Sequence, residues 1–195
     1  MSDEQRRAVL DRVLSLAPEK GFTPSVLTEA LRGADASLFP NGIADVIAFW
    51  SGETDRALAV ALKDKNLLQL SMRKRIREGV LTRLSLLRPY KEAARKATIV
   101  LAYPQHVGLG AELIWHSADV IWRAAGDLST DFNYYTKRGI LVGVLSSTMV
   151  AWFGDDSEDE TATSDFLDDR IENVMEFEKL KARVKEACGT TGEKS

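Results

Sequence analysis

Gly139-Ile-Leu-Val-Gly-Val-Leu-Ser-Ser-Thr-Met-Val-Ala-Trp-Phe153 carries no charge and is apolar on nearly every side when wound as a helix. A helix of that kind must be surrounded by others, so this stretch is read as the buried centre of a helical bundle. The helix reaches back to about residue 130, where Thr130 or Asp131 can cap its N-terminus. Gly139 and Gly143, with Ser146 and Ser147 nearby, thin one of its faces. Three uses fit that thinning: close packing within the chain, a seam between two copies, or room for a long apolar ligand.

The neighbours follow from spacing and punctuation. Residues 107–125 place Leu109, Leu113, Ile114, Ala118, Ile121 and Trp122 at helical intervals, and Gly126 stops them. Further helices are predicted at 90–102, at 71–88 before Pro89, and at 53–70. Three short ones precede them: 3–17, a second opened by Thr23-Pro24, and a third carrying Ile43, Val46, Ile47 and Phe49 or Trp50. Three such pieces in sequence read as a helix-turn-helix-like module. After the central helix, the acidic loop 154–163 is expected to be mobile. Ser164 is expected to cap a last helix bearing Leu167, Ile171 and Val174, whose apolar side continues to Leu180 and Val184. The fold class is all-α, with about nine helices and no strand. The module spans 1–52, the bundle 53–188, and a disordered tail 189–195.

Composition narrows the function. The 195 residues are 45% apolar and 28% charged, with a net charge of −3, ordinary for a globular protein and without a global pull toward nucleic acid. Basic residues crowd 63–96 and acids crowd 155–178; each run is read as a solvated face, or the basic one as a patch for anionic headgroups. One cysteine, Cys188, excludes an intramolecular disulfide and fits a reducing compartment. No run is long and apolar enough to span a bilayer.

Reactive chemistry is scarce. His106 and His116 are the only imidazoles. Neither follows a glutamate by three residues, as a carboxylate-bridged di-iron bundle requires, and no paired cysteines offer a zinc site. No metal, cofactor or catalytic residue is expected, so the chain is read as a non-enzyme. Nor is the helix Gly42–Trp50 suited to DNA: it presents Asp45 and apolar groups, with only Asn41 before it. A ligand-responsive transcription regulator remains the alternative that the same architecture allows. Tyr134 and Tyr135, adjacent on a helix, cannot both face the core, so at least one is free for a partner or lipid.

The run from Trp115 to Arg138, with Gly126-Asp-Leu-Ser-Thr-Asp-Phe-Asn-Tyr-Tyr-Thr136 at its heart, resembles the signature of the "coenzyme Q nine" accessory proteins of ubiquinone biosynthesis. Phe166-Leu-Asp-Asp-Arg-Ile-Glu-Asn173, Phe39-Pro-Asn-Gly42 and Arg88-Pro-Tyr90 are similar to that family too. The resemblance implies a TetR-like fold, a homodimer, a vestigial helix-turn-helix, and no catalytic activity. It implies an apolar cavity for an isoprenoid quinone or phospholipid, and support of a di-iron demethoxyubiquinone hydroxylase. That partner is expected on the surface of Ile121, Trp122, Asp131, Tyr134 and Tyr135. For the cavity, the apolar stripes of the middle helices give Leu84, Leu87, Ile99, Tyr103, Leu113, Ile114 and Val142. The resemblance implies a further membrane-inserting amphipathic helix in eukaryotic relatives, which this sequence, read to Ser195, is expected to be without. It is therefore expected to be a bacterial member, cytoplasmic and only transiently peripheral on the inner membrane.

Overall fold

The computed structural model describes residues 2–130 and 132–174, and among these every regular element is helical. Seven helices are bounded: α1 (Ser2–Lys20), α2 (Pro24–Ala30), α3 (Ile43–Lys63), α4 (Met72–Leu87), α5 (Lys91–Leu101), α6 (Val107–Ala124) and α7 (Phe132–Phe153). Residues 161–174 form an eighth, α8. Leu180, Val184, Cys188 and the tail lie outside the described residues, as does Asp131.

Thr23 caps α2 as its sequence predicts, its Oγ1 accepting from the Val26 amide at 3.3 Å with Pro24 in the first turn. The third piece of the module differs from expectation. Only a 3-10 turn, Ala36–Leu38, separates α2 from α3, and the expected helices at 43–50 and 53–70 are one helix up to Lys63. Gly52 costs such a helix about 1 kcal/mol. Tertiary packing overrides that cost, because Val46, Ile47, Trp50, Thr54, Leu58 and Leu62 bury one continuous side.

α3 packs chiefly on α4 and α6, α6 on α7, and α1 on α2 and α5. Phe22 stacks on Trp50 at 5.9 Å, and Trp50 meets the Tyr90 edge at 6.1 Å, joining the N-terminal helices to the bundle. The α4–α6 crossing depends on Gly79. A Cβ there would stand 2.5 Å from Ile121 Cγ2, far inside contact distance. Gly79→Ala should therefore lose about 1–3 kcal/mol by overpacking, despite alanine's better helix propensity. Urea denaturation checks this; a stabilised variant would contradict the crossing.

Two expectations about the C-terminal half are corrected. α7 is not enclosed on every side: Leu141, Leu145, Thr148 and Trp152 are buried, whereas Gly139, Gly143, Ser146 and Val150 are exposed. The neighbouring helices cover only its inner side. The acidic loop is tied down rather than loose. The buried Asp155 carboxylate accepts from the amides and hydroxyls of both Ser157 and Thr163. Glu160 accepts from the Trp152 indole at 2.7 Å and from Arg88 at 2.6 Å. α8 starts at 161, with Asp159 accepting from the Thr161 amide and hydroxyl, while Ser164 lies inside it and accepts from Arg77.

The charge asymmetry of the sequence is partly compensated within the chain. Arg73 pairs with Glu172, Arg77 with Asp168, and Arg88 with Glu160, while Lys91 donates to the Asp155 carbonyl. Three cations of the basic run thus pair with acids of the acidic run within the chain.

Candidate functional site

The middle helices do not close completely on one another. Between α3, α4, α5, α6 and α7 lies a cavity of about 460 Å³. Its origin is the scarcity of large side chains where α5 meets α6. The inward stripe of α5 is Ala93, Ala94 and Ala97, and Gly110 and Ala111 face it from α6. The walls are otherwise apolar, from Ile47 and Trp50 on α3 to Met149 on α7. Val107 and Val150, both largely exposed, stand at the rim.

Of the residues expected to line a cavity, Leu87, Leu113, Ile114 and Val142 do so. Leu84 is fully buried in the solid core instead, and Ile99 and Tyr103 are exposed on the outside. Ala94, Ala97 and Leu101 take the places on α5 that Ile99 was expected to fill. A stripe of alanines was the available signal, but large residues drew the assignment.

One charged side chain lines this cavity, Arg83 of α4, which is 6% exposed. Its partner is Asp55 of α3, 2% exposed, with Nε 3.6 Å from Oδ1. Asp55 is otherwise well served: Ser117 Oγ donates to Oδ1 at 2.8 Å, and His116 Nδ1 lies 3.0 Å from Oδ2. Arg83 is not. Its Nε has no hydrogen-bond acceptor among the described residues, and Nη1 reaches only the Met149 sulfur at 3.8 Å. Burial pulls the Arg83 guanidinium below the usual range, and Asp55 opposes that pull.

The second feature is the surface built by residues 115–138. Gly126 ends α6 with φ of +89°, and Arg75 clamps the turn by donating to the carbonyls of Ala125 at 2.7 Å and Leu68 at 2.8 Å. Asp127 then turns inward, accepting from Ser129, from Lys137 at 2.7 Å and from Arg138 at 3.0 Å. Arg138, 1% exposed, bridges Asp127 to Asp119 at 2.7 Å and lies 3.5 Å from the Tyr134 ring centroid. The charged residues of the motif therefore lock α6 to the start of α7. Above them Trp115, Tyr134 and Tyr135 cluster, with centroid separations of 5.1–6.5 Å.

This placement sorts the expected partner-facing residues. Tyr135 is 62% exposed, Tyr134 is half-buried with its hydroxyl 3.2 Å from Asp119, and Trp122 is half-buried with its indole N–H on the Lys137 carbonyl. Ile121 cannot belong to that surface. It is 1% exposed and packed beneath Gly79, because it faces the core about 100° away from Trp122. Leu128, 91% exposed in the turn, was missed by periodicity because it lies in no helix.

Burial alone would raise the Asp127 carboxyl, but hydrogen bonds from Lys137, Ser129 and Arg138 outweigh it and lower it from 3.8 to about 2. Hydrogen bonds from Arg138 and Arg123 likewise outweigh burial at Asp119, and those from Ser157 and Thr163 hold Asp155 down. A folded value below the unfolded one stabilises the protein above the ordinary carboxylate range, and that stability is lost as pH falls. The denaturation midpoint in urea should accordingly be flat down to the ordinary 3.8 and drop steeply toward about 2. Asp127→Asn should flatten part of that drop.

Among the described residues no three histidine, cysteine or acidic side chains are placed to hold a metal ion, and no helix is long and apolar enough to cross a membrane.

Comparison with known proteins places these features. The COQ9 family model matches residues 107–178, which include the locked turn and the aromatic cluster. The mitochondrial ubiquinone biosynthesis protein COQ9 of Rattus norvegicus is 32% identical over 98% of this chain and 64% of its own length. Its Homo sapiens counterpart is 30% identical over 98% of this chain and 63% of its own. The chain thus spans a little under two thirds of these relatives. A TetR transcriptional regulator from Nitrosomonas europaea superposes with a TM-score of 0.68 at 16% identity, covering 87% of this chain and 97% of that one, so the fold is TetR-like. The expected placement in the cytoplasm of a bacterium is overturned, since these relatives are named as mitochondrial proteins. In sequence, both in the segment around the locked turn and along nearly its whole length, the chain is similar to the COQ9 proteins.

Proposed function

We propose that this chain is a non-catalytic accessory protein of ubiquinone biosynthesis that takes up an isoprenoid quinone intermediate or a phospholipid and supports a di-iron demethoxyubiquinone hydroxylase. The observation that carries the reading is the apolar cavity of about 460 Å³. Its volume falls in the usual range for small-molecule sites, and its walls offer almost no reactive group. A polyprenyl tail is held in a bilayer by about 0.8 kcal/mol per buried CH2, so removing it requires an alternative apolar environment. The cavity supplies one for the part of the lipid nearest its head.

The hydroxylase is proposed to dock on Trp122, Tyr134 and Tyr135, extended by Trp115 and Leu128; Asp131 belongs to the same segment. Large aromatics held rigidly from below are suited to anchoring a partner. The exposed Gly139 and Gly143 face of α7, which borders a cleft against Arg170, Asn173 and Val174, is the proposed seam for a second copy.

The regulator alternative is less well supported. The element after α2 is a single turn of Ala36, Ser37 and Leu38, without a cation for phosphate. Asn41, the donor nearest α3, is spent on Asp45 through its amide at 2.7 Å and its side chain at 3.1 Å.

Gentle purification followed by solvent extraction and mass spectrometry tests the lipid reading. A bound quinone precursor or phospholipid is expected. Protein that carries neither, and that takes up neither from liposomes, would overturn it.

A further inference from the structure

We infer that the Asp55–Arg83 pair is the headgroup receptor of the cavity, and that the bound amphiphile enters with an uncharged, oxygen-bearing head first and its hydrocarbon tail toward the rim. The inference rests on the lipid-binding reading above and specifies the ligand's chemistry and direction.

A cavity meant only for hydrocarbon has no use for a guanidinium. Arg83 lines this one while being more than nine-tenths buried, with Nε lacking an acceptor. Buried donors left unmade are costly, and arginine offers five N–H bonds in a fixed fork. Asp55 takes up the charge from 3.6 Å but is itself occupied by Ser117 and His116. What is missing beside Arg83 is an acceptor oxygen. Of the other polar lining groups, Ser51 and Ser146 are half-buried or exposed, away from the buried end, and the two threonines are already engaged. Thr54 and Thr98 donate their hydroxyls to helix carbonyls, Thr54 to Trp50 at 2.9 Å and Thr98 to Ala94 at 2.9 Å.

The charge state of the head follows from the pair. Arg83 and Asp55 together are neutral, and Asp55 is nearly inaccessible to solvent, so a dianionic phosphate drawn to Arg83 would also meet a poorly screened carboxylate. A ring carbonyl or hydroxyl accepts the hydrogen bond without that repulsion. Direction follows from depth. Arg83, Thr54 and Leu87 lie at the buried end, whereas exposed Val107 and Val150 form the rim, where an apolar tail can leave toward a bilayer.

Trp50 lines the cavity and gives a direct readout by fluorescence quenching. The full chain is titrated with a benzoquinone bearing one isoprenoid unit, with dodecyl phosphate, and with a brominated alkane of matched length. Arg83→Met alone strands Asp55, so the pair is also replaced together as Arg83→Met/Asp55→Asn. The quinone is expected to bind about tenfold to a hundredfold more weakly to the double variant, as for loss of one hydrogen bond to a charged group, while alkane binding stays unchanged. Equal quinone affinity in wild type and double variant, or equal loss for quinone and alkane, overturns the inference and leaves the lipid reading standing. Preference of the wild type for dodecyl phosphate overturns the uncharged head. Failure of all three probes to bind the wild type overturns the lipid reading itself.

Discussion

Replacing Arg138 by methionine is expected to cost about 3 kcal/mol of stability, toward the lower end of what removal of one partner from a buried ion pair costs. Arg138 is 1% exposed and joins two carboxylates from different segments, Asp119 of α6 and Asp127 of the turn. Methionine matches its stem but leaves both acids short of a donor. The loss stays moderate because Lys137 and Ser129 still serve Asp127, and Arg123 still serves Asp119. For a chain of this size the melting temperature should fall by about 6–12 °C. Adding Asp127→Asn to Arg138→Met should recover part of it, since the stranded charge is then gone. A single variant as stable as the wild type would refute the account of the motif as a lock between α6 and α7.

Ala97→Phe is expected to remove ligand without unfolding the protein. Ala97 sits on the cavity side of α5, and a phenyl ring there occupies space that a tail of about four methylenes would use. At about 0.8 kcal/mol per methylene the forfeited affinity is about 3 kcal/mol, or about two orders of magnitude. In a solid core the same substitution would cost stability through overpacking. In a cavity it should leave the melting temperature nearly unchanged or raise it. Mass spectrometry of the purified variant together with thermal unfolding separates the cases. Retained lipid, or a collapse in stability, would contradict the described cavity.

The helices were readable because glycine, proline and capping residues mark their ends and apolar spacing marks their faces. Thr23-Pro24, Gly126 and Pro89 all stand at or beside boundaries where those residues are expected. Length was less readable: Gly52 looks like a break, yet burial along α3 carries the helix through it. The site was legible only where large apolar residues happen to face inward, as at Leu87, Leu113, Ile114 and Val142. On α5 the rule inverts, because alanines face the cavity and Ile99 faces solvent. Ile121 and Trp122 are neighbours in sequence, and only three-dimensional packing tells which is buried. Arg83 and Asp55 could not be found by local pattern at all. Each sits in a sequence of ordinary charge density, and their meeting depends on how α3 crosses α4.

α8 is joined to α4 by the ion pairs of Arg73 and Arg77, and the loop before α8 by Arg88, so this edge of the bundle is held in part by charge. Arg73 and Glu172 are well exposed, and pairs of that kind weaken as ionic strength rises and the Debye length shrinks to about 3 Å in molar salt. Hydrogen exchange of the α8 amides should therefore quicken in concentrated sodium chloride while that of α3 and α6 does not. The attachment of α8 is thereby tied to the ionic strength of its surroundings.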